Sequence, residues 1–347
     1  MKNIVKSFII LLAVSACSKP SGNPIQTFSF GGGVFIVDEG NFKSGNGSLS
    51  FYSYDSSKIF NDVFLSANNR PLGDVPNSMA IKGDQAYIMV NNSGKIEVIN
   101  PTTLKSITTI TGLISPRNIS FVNDYKAYVS SLYSDSVAII NLTTNSISGY
   151  INIRRTSETI GVIGSNAYIS NWTGGHEIMV ISTLSDKVID SIVVGKEPES
   201  MVFDRNGILW VLCNGGYDRQ TFAELDQINT ATNSVIKKLV FPTKEASPSC
   251  LKIDGTGQTL YYIDNGVRQI DFAATEIPST TFIIQQPGQY FYKIVINPIN
   301  SDVFITDAVD FIQPGYLLLY DRTGKFVTKQ KAGINPGSMC FKLIFNS

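Results

Sequence analysis

The chain is written in short apolar runs separated by turn residues. A representative stretch is Ala86-Tyr87-Ile88-Met89-Val90, then Asn91-Asn92-Ser93-Gly94, then Lys95-Ile96-Glu97-Val98-Ile99, then Asn100-Pro101-Thr102-Thr103. β-Branched and aromatic residues fill the runs, and Asn, Gly, Pro and Thr fill the gaps, which is the chemistry of strands joined by tight turns. No long stretch shows the 3.6-residue period of an amphipathic helix. The chain therefore reads as all-β.

These runs recur. Pro76-Asn77-Ser78-Met79, Ser115-Pro116, Pro198-Glu199-Ser200-Met201 and Pro248-Ser249-Cys250 each open a unit, and Ala127-Tyr128-Val129-Ser130 and Ala167-Tyr168-Ile169-Ser170 echo the run at Ala86. The anchor prolines at 76, 116, 198 and 248 are spaced by one, two and one units of about 40–50 residues, the period of four-stranded propeller blades. Each unit is expected to end in a fourth, exposed strand. The first unit, read as strands at Val34–Asp38, Ser48–Tyr52 and Ile59–Phe64, has no Pro-x-Ser-Met strand before it, whereas Pro336-Gly337-Ser338-Met339 at the far end supplies one. First strands near 76, 116, 157, 198, 248, 291 and 336 predict a seven-bladed β-propeller over residues 31–347, closed by the C-terminal strand completing the first blade. Closure removes the open sheet edge that invites aggregation.

The N-terminus reads as an export leader. Lys2 and Lys6 precede an apolar run from Phe8 to Val14, which is far shorter than the ~20 residues needed to span a bilayer. Val14-Ser15-Ala16-Cys17 resembles a bacterial lipobox, so residues 1–16 are expected to be a lipoprotein signal peptide and Cys17 the lipidated residue. Residues 17–30 then form a small, polar tether.

Composition narrows the chemistry. Lys+Arg and Asp+Glu both number 28, so no net field draws nucleic acid or anionic lipid. One His and four Cys leave no multi-His or Cys-rich metal site. His176 reads as a surface-loop residue without an acid/base partner at recognisable spacing, and Cys213, Cys250 and Cys340 as small packing residues within strands. Nothing fixes a spacing for Glu158, Glu197, Glu199 and Asp218 as a catalytic carboxylate pair. Gly31-Gly32-Gly33 precedes a strand rather than a helix, so it reads as a hinge and not a phosphate loop. No catalytic residue, cofactor or metal is expected, and the chain reads as a non-enzyme.

Antiparallel connections alternate ends, so the loops leading into each first strand share a face with the loops between second and third strands. That face gathers Phe42, Tyr133, Trp172, Tyr217, Tyr290 and Phe311 with Arg117, Asn118, Glu158, Glu199 and Arg219. Flat rings with a few amides and charges suit a bulky, polar, neutral ligand.

Tyr87-Ile88-Met89-Val90-Asn91, Tyr128-Val129-Ser130 and Tyr168-Ile169-Ser170-Asn171 look like YVTN-type propeller repeats. Glu39-Gly40-Asn41-Phe42 with Gly45-Asn46-Gly47-Ser48-Leu49-Ser50, Asn61-Asp62-Val63-Phe64 with Asn69-Arg70-Pro71-Leu72-Gly73-Asp74, and Asn91-Asn92-Ser93-Gly94-Lys95-Ile96 resemble YncE-like lipoproteins of Gram-negative gut anaerobes. That group includes corrinoid-binding surface lipoproteins of the BtuG type. The resemblance implies an outer-membrane lipoprotein, lipid-anchored at the cell surface. It would bind cobalamin and related corrinoids as transported ligand and pass them to a BtuB-type TonB-dependent transporter. The alternatives from the residues alone are a module binding another protein or a glycan and, further off, a propeller lyase or lactonase.

Overall fold

The computed structural model describes residues 30–344; the expected signal peptide, Cys17 and most of the tether lie outside the described residues. Seven antiparallel sheets follow one another along the chain, a seven-bladed β-propeller. The innermost strands are Pro76–Lys82, Pro116–Phe121, Ile160–Ile163, Pro198–Phe203, Ser249–Ile253, Phe291–Ile296 and Pro336–Lys342, of blades 2 to 7 and 1 respectively. Each packs on the next, and the last packs on the first, so the ring is closed. As the sequence predicts, Pro336–Lys342 pairs antiparallel with Gly33–Asp38, placing Cys340 opposite Phe35 and Pro336 opposite Asp38.

The recurring tyrosine has a structural cause. Tyr87 and Tyr168 are buried in the second strands of blades 2 and 4, and each reaches across to the outer hairpin of the following blade. The Tyr87 hydroxyl donates to Asn145 Oδ1 at 2.9 Å and Tyr168 to Asn233 Oδ1 at 2.8 Å, while Tyr128 donates to Asp186. Asn145, Asp186 and Asn233 all have positive φ, near +50°, which Asn and Asp tolerate in tight turns. One residue type thus fills the interblade core and fixes the neighbour's turn.

The Pro-x-Ser motif stitches the inner strands. Ser338 donates to Asn77 O, Ser78 to Arg117 O, and the Asn118 amide to Glu158 O; Leu251 N–H donates to Ser200 Oγ. The register slips by a bulge at this point in blades 1, 2, 3, 5, 6 and 7. Bulges re-aim side chains, and here they do so at one end of the ring.

Three sequence expectations are corrected. The first unit's outer strand is only Lys58–Phe60, and Val63–Asn68 form a short helix whose Val63, Phe64 and Ala67 are buried in the core instead of extending the strand. Blade 6 has three strands. Its chain from Phe272 to Gln289 contains Pro278 and Pro287, which cannot donate to a ladder, and only Ile283 bridges back, to Val267. Gly33 is no hinge: it opens a strand where a Cβ would lie 2.2 Å from Tyr52 O. The three described cysteines are free thiols in or ending strands, as expected, and burial pushes Cys340 up to about 12.

Asp38 guards the closing seam. It is fully buried, accepting from Ser50 Oγ at 2.6 Å, Ser48 Oγ at 3.1 Å and Gly333 N–H at 3.1 Å. Burial outweighs these bonds and, with the nearby Asp62 charge, raises its pKa from 3.8 to about 7. An acid that binds its proton more tightly when folded contributes most when protonated. Its contribution is full below about pH 4 and is lost as the pH rises through about 7. Melting curves from pH 4 to 8 should therefore show less downward slope in Asp38→Asn than in the wild type; an unchanged slope refutes the assignment. Gly333→Ala should lower stability by about 1–3 kcal/mol in urea titrations, because its Cβ would sit 2.5 Å from Asp38 Cγ.

Candidate functional site

Strand register fixes which loops share an end. Pro76 faces Val90, Pro116 faces Ser131, Pro198 faces Cys213 and Phe291 faces Asp307, so each first strand begins where its second strand ends. The expected shared face is therefore real, and two adjoining depressions open there. One of about 270 Å³ is lined by Arg117, Glu158, Trp172, Glu199, Asn214, Ser247–Ser249 and Tyr290–Lys293. The other, about 470 Å³, is lined by Trp172, Thr173, Glu197, Asn214, Gly216, Tyr217, Arg219 and Ser247. Trp172, Asn214 and Ser247 belong to both, so the two form one cleft across blades 3 to 7.

In blades 3 to 7 the residue after the anchor position (Arg117, Glu158, Glu199, Ser249, Tyr292) lines the floor. Arg117 and Glu158, on neighbouring blades, form a bidentate pair: Arg117 Nε donates to Glu158 Oε2 at 2.8 Å and Nη2 to Oε1 at 2.8 Å. Burial opposes the Arg117 charge, but Glu158 more than offsets it and holds the guanidinium cationic. Glu199 Oε2 accepts from the Cys250 N–H at 2.8 Å, which ties blade 5 to blade 6. The Tyr292 hydroxyl donates to Glu39 Oε1 at 2.9 Å and Asn335 donates to Oε2 at 3.0 Å. Burial raises both the Glu39 carboxyl and the Tyr292 phenol. Gly337 leaves the room Glu39 needs, since a Cβ there would meet its Oε1 at 2.8 Å. Lys293 extends over the Tyr292 ring, 4.9 Å from its centroid. Burial penalises its charge, but Tyr292, Glu199, Cys250 and Glu39 outweigh that and raise its pKa.

The walls are aromatic. Trp172 is part exposed and Tyr217 is 91% exposed. Tyr290 is braced edge-on by Phe311 at 4.8 Å, and Phe311 also meets Tyr292 at 5.1 Å.

Of the residues singled out by sequence, Arg117, Glu158, Trp172, Glu199, Tyr217, Arg219 and Tyr290 line the cleft. Asn118 instead bonds the Glu158 carbonyl at 3.0 Å, and Phe311 acts from behind Tyr290. Phe42 and Tyr133 line neither depression; they are exposed, and Phe42 sits under its neighbour Lys43. His176 also lines neither. Among the described residues no His/Cys/Asp/Glu group is arranged to hold a metal ion. Sequence reasoning missed Lys293 and Asn214; Glu39 and Ser247 lie in loops it placed on this face without singling them out. Lys293 carried a signal of its own: it is the third residue of a first strand, where four of the other six units have Ser or Asn and the remaining two have the uncharged Thr159 and Cys250.

Comparison with known proteins follows the same outline. Residues 32–330 match the domain of unknown function DUF5074. The chain belongs to the DUF5074 family. No curated protein matches this DUF5074 chain by sequence. Among solved structures it is similar to a quinonprotein alcohol dehydrogenase-like protein from Bacteroides thetaiotaomicron, at 13% identity and a TM-score of 0.72, covering 91% of this chain and 79% of that one. It is also similar to hydrazine synthase of Kuenenia stuttgartiensis (15% identity, TM-score 0.58, 76% of this chain and 89% of that one). The dihydro-heme d1 dehydrogenase NirN shows 11% identity and a TM-score of 0.58, over 88% and 74% of the two chains. At these identities the likeness is one of propeller fold.

The Arg117–Glu158 pair joins blades 3 and 4 with both side chains mostly buried. Arg117→Met should strand the Glu158 carboxylate and lower stability by about 2 kcal/mol in urea titrations, whereas Arg117→Met/Glu158→Gln should recover part of it. Equal losses in the two variants would show that the pair itself does not matter.

Proposed function

We propose that this DUF5074 propeller is a non-enzymatic capture protein for corrinoids, held at the outer membrane through a lipid on Cys17. It would deliver its ligand to a BtuB-type TonB-dependent transporter. The observation that carries the reading is the continuous cleft on this loop face, with Trp172, Tyr217 and Tyr290 on its walls and a floor of hydrogen-bonding side chains. Such a site takes a ligand broader than either depression, with flat apolar edges and polar arms. The leader and the sequence blocks around Glu39, Asn61 and Asn91 supply the link to corrinoid lipoproteins.

The floor is already arranged. Arg117, Glu158, Glu199, Glu39 and Tyr292 are held by bonds to neighbouring blades, so few side chains lose freedom when a ligand arrives. Three cations (Arg117, Arg219, Lys293) and three carboxylates (Glu158, Glu197, Glu199) line the cleft, a balance that suits a neutral ligand better than an ion.

Isothermal titration with cyanocobalamin and cobinamide tests the reading. Sub-micromolar binding is expected, weakened by roughly tenfold or more in Trp172→Ala, a loss of about 1.4 kcal/mol. No heat at micromolar ligand overturns it. Saturable binding of an oligosaccharide in the same assay, without corrinoid binding, would favour the glycan-module alternative.

A further inference from the structure

Lys293 puts a charge where the other inner strands carry small or uncharged side chains. Its place is the third residue of a first strand, just past the bulge, equivalent in register to Ser78 and Ser200. Those serines, with Asn118 and Ser338, tie one inner strand to the next. At Lys293 that work passes to Thr306, whose hydroxyl bonds the Gly337 carbonyl at 3.2 Å and accepts the Lys293 N–H at 3.1 Å. The lysine side chain is thereby released from holding the fold. Four of the other six units carry Ser or Asn here, and Thr159 and Cys250 stand in the remaining two, so Lys293 is the one charged side chain at this position; local departures from a fold's own pattern are where function is sought.

The released ammonium lines the smaller depression, and among the described residues no acceptor lies within hydrogen-bond reach of its Nζ. A half-buried ammonium with three donors calls for an acceptor oxygen. Glu199 lines the same depression and is one of the charges acting on Lys293. One of its oxygens is committed to Cys250, and the other accepts no bond among the described residues. A free donor and a free acceptor therefore line the same depression, with opposite charges.

We propose that Lys293 and Glu199 form a specificity subsite for a carboxamide arm of the ligand. The amide oxygen accepts from Lys293 and the amide N–H donates to Glu199. An uncharged amide satisfies both groups, whereas a carboxylate repels Glu199 and an amine repels Lys293. The inference deepens the capture reading, naming the polar group the cleft selects.

Benzamide, benzoate and benzylamine share one ring and differ only in that group, so ligand-observed NMR titration of the three against wild type, Lys293→Met and Glu199→Gln isolates the subsite. Benzamide should bind the wild type roughly tenfold or more tightly than either ion. Lys293→Met should lose that preference, and Glu199→Gln should admit benzoate. Benzoate binding the wild type as well as benzamide, or benzamide binding indifferent to Lys293→Met in a variant with an unchanged melting curve, overturns the proposal. Cyanocobalamin run in parallel separates the two readings. Benzamide selectivity without cyanocobalamin binding removes the corrinoid reading alone. Cyanocobalamin binding unchanged in both variants removes the amide subsite alone.

Discussion

Everything in this propeller depends on the contact between successive inner strands. Seven sheets meet around one axis, and each presents to it a strand with no partner on that side. Side chains as small as Ser78, Ser200 and Ser338 let neighbouring strands approach and also bond the opposing backbone. Polar groups that would be left unpaired on crowding are thereby satisfied. The same stitch fixes the spacing of the residues beside it, Arg117, Glu158 and Glu199, so the site inherits its geometry from the means by which the ring closes. At the seventh-to-first contact the bond comes from the second strand, Thr306 to the Gly337 carbonyl, much as Ser130 also bonds the Glu158 carbonyl in blade 3, and the first-strand position is held by Lys293.

The repeats made most of the architecture legible. A tyrosine in a second strand and an Asn or Asp in an outer turn recur because each needs the other across a blade boundary, as Tyr87 with Asn145 and Tyr168 with Asn233 show. A residue under the same constraint in several blades writes itself into the sequence several times. What occurs once stayed hidden. The helix Val63–Asn68 carries the same apolar residues that a strand would, and six residues are too few to show a helical period. Blade 6 reads like its neighbours until Phe272, and only the structure shows that the following chain makes a single bridge back.

The site was half legible for a related reason. Loop order decides the end of the propeller on which a residue lies, and that reasoning held. It does not decide distance from the axis. Phe42 and Tyr133 stand clear of the cleft, while Trp172 and Tyr217, in loops of the same kind, and Glu199 and Tyr290, beside the start of inner strands, reach it. Glu39 joins the floor through Tyr292 and Asn335, residues nearly a chain length away that only ring closure brings near.

The floor also shows how burial and charge are reconciled without a net field. Removing Arg117 or Lys293 from water penalises each cation; Glu158 offsets this for Arg117, and Tyr292, then Glu199, Cys250 and Glu39, offset it for Lys293. For Arg117 the compensation is a direct bidentate bond, which uses up the group and makes it structural. For Lys293 it comes from charges acting at a distance, so the ammonium stays protonated while its donors stay unspent. Two cations in one depression thus differ in what they can offer an incoming molecule. The difference is set by whether the balancing carboxylate stands within hydrogen-bond reach or only within reach of the field.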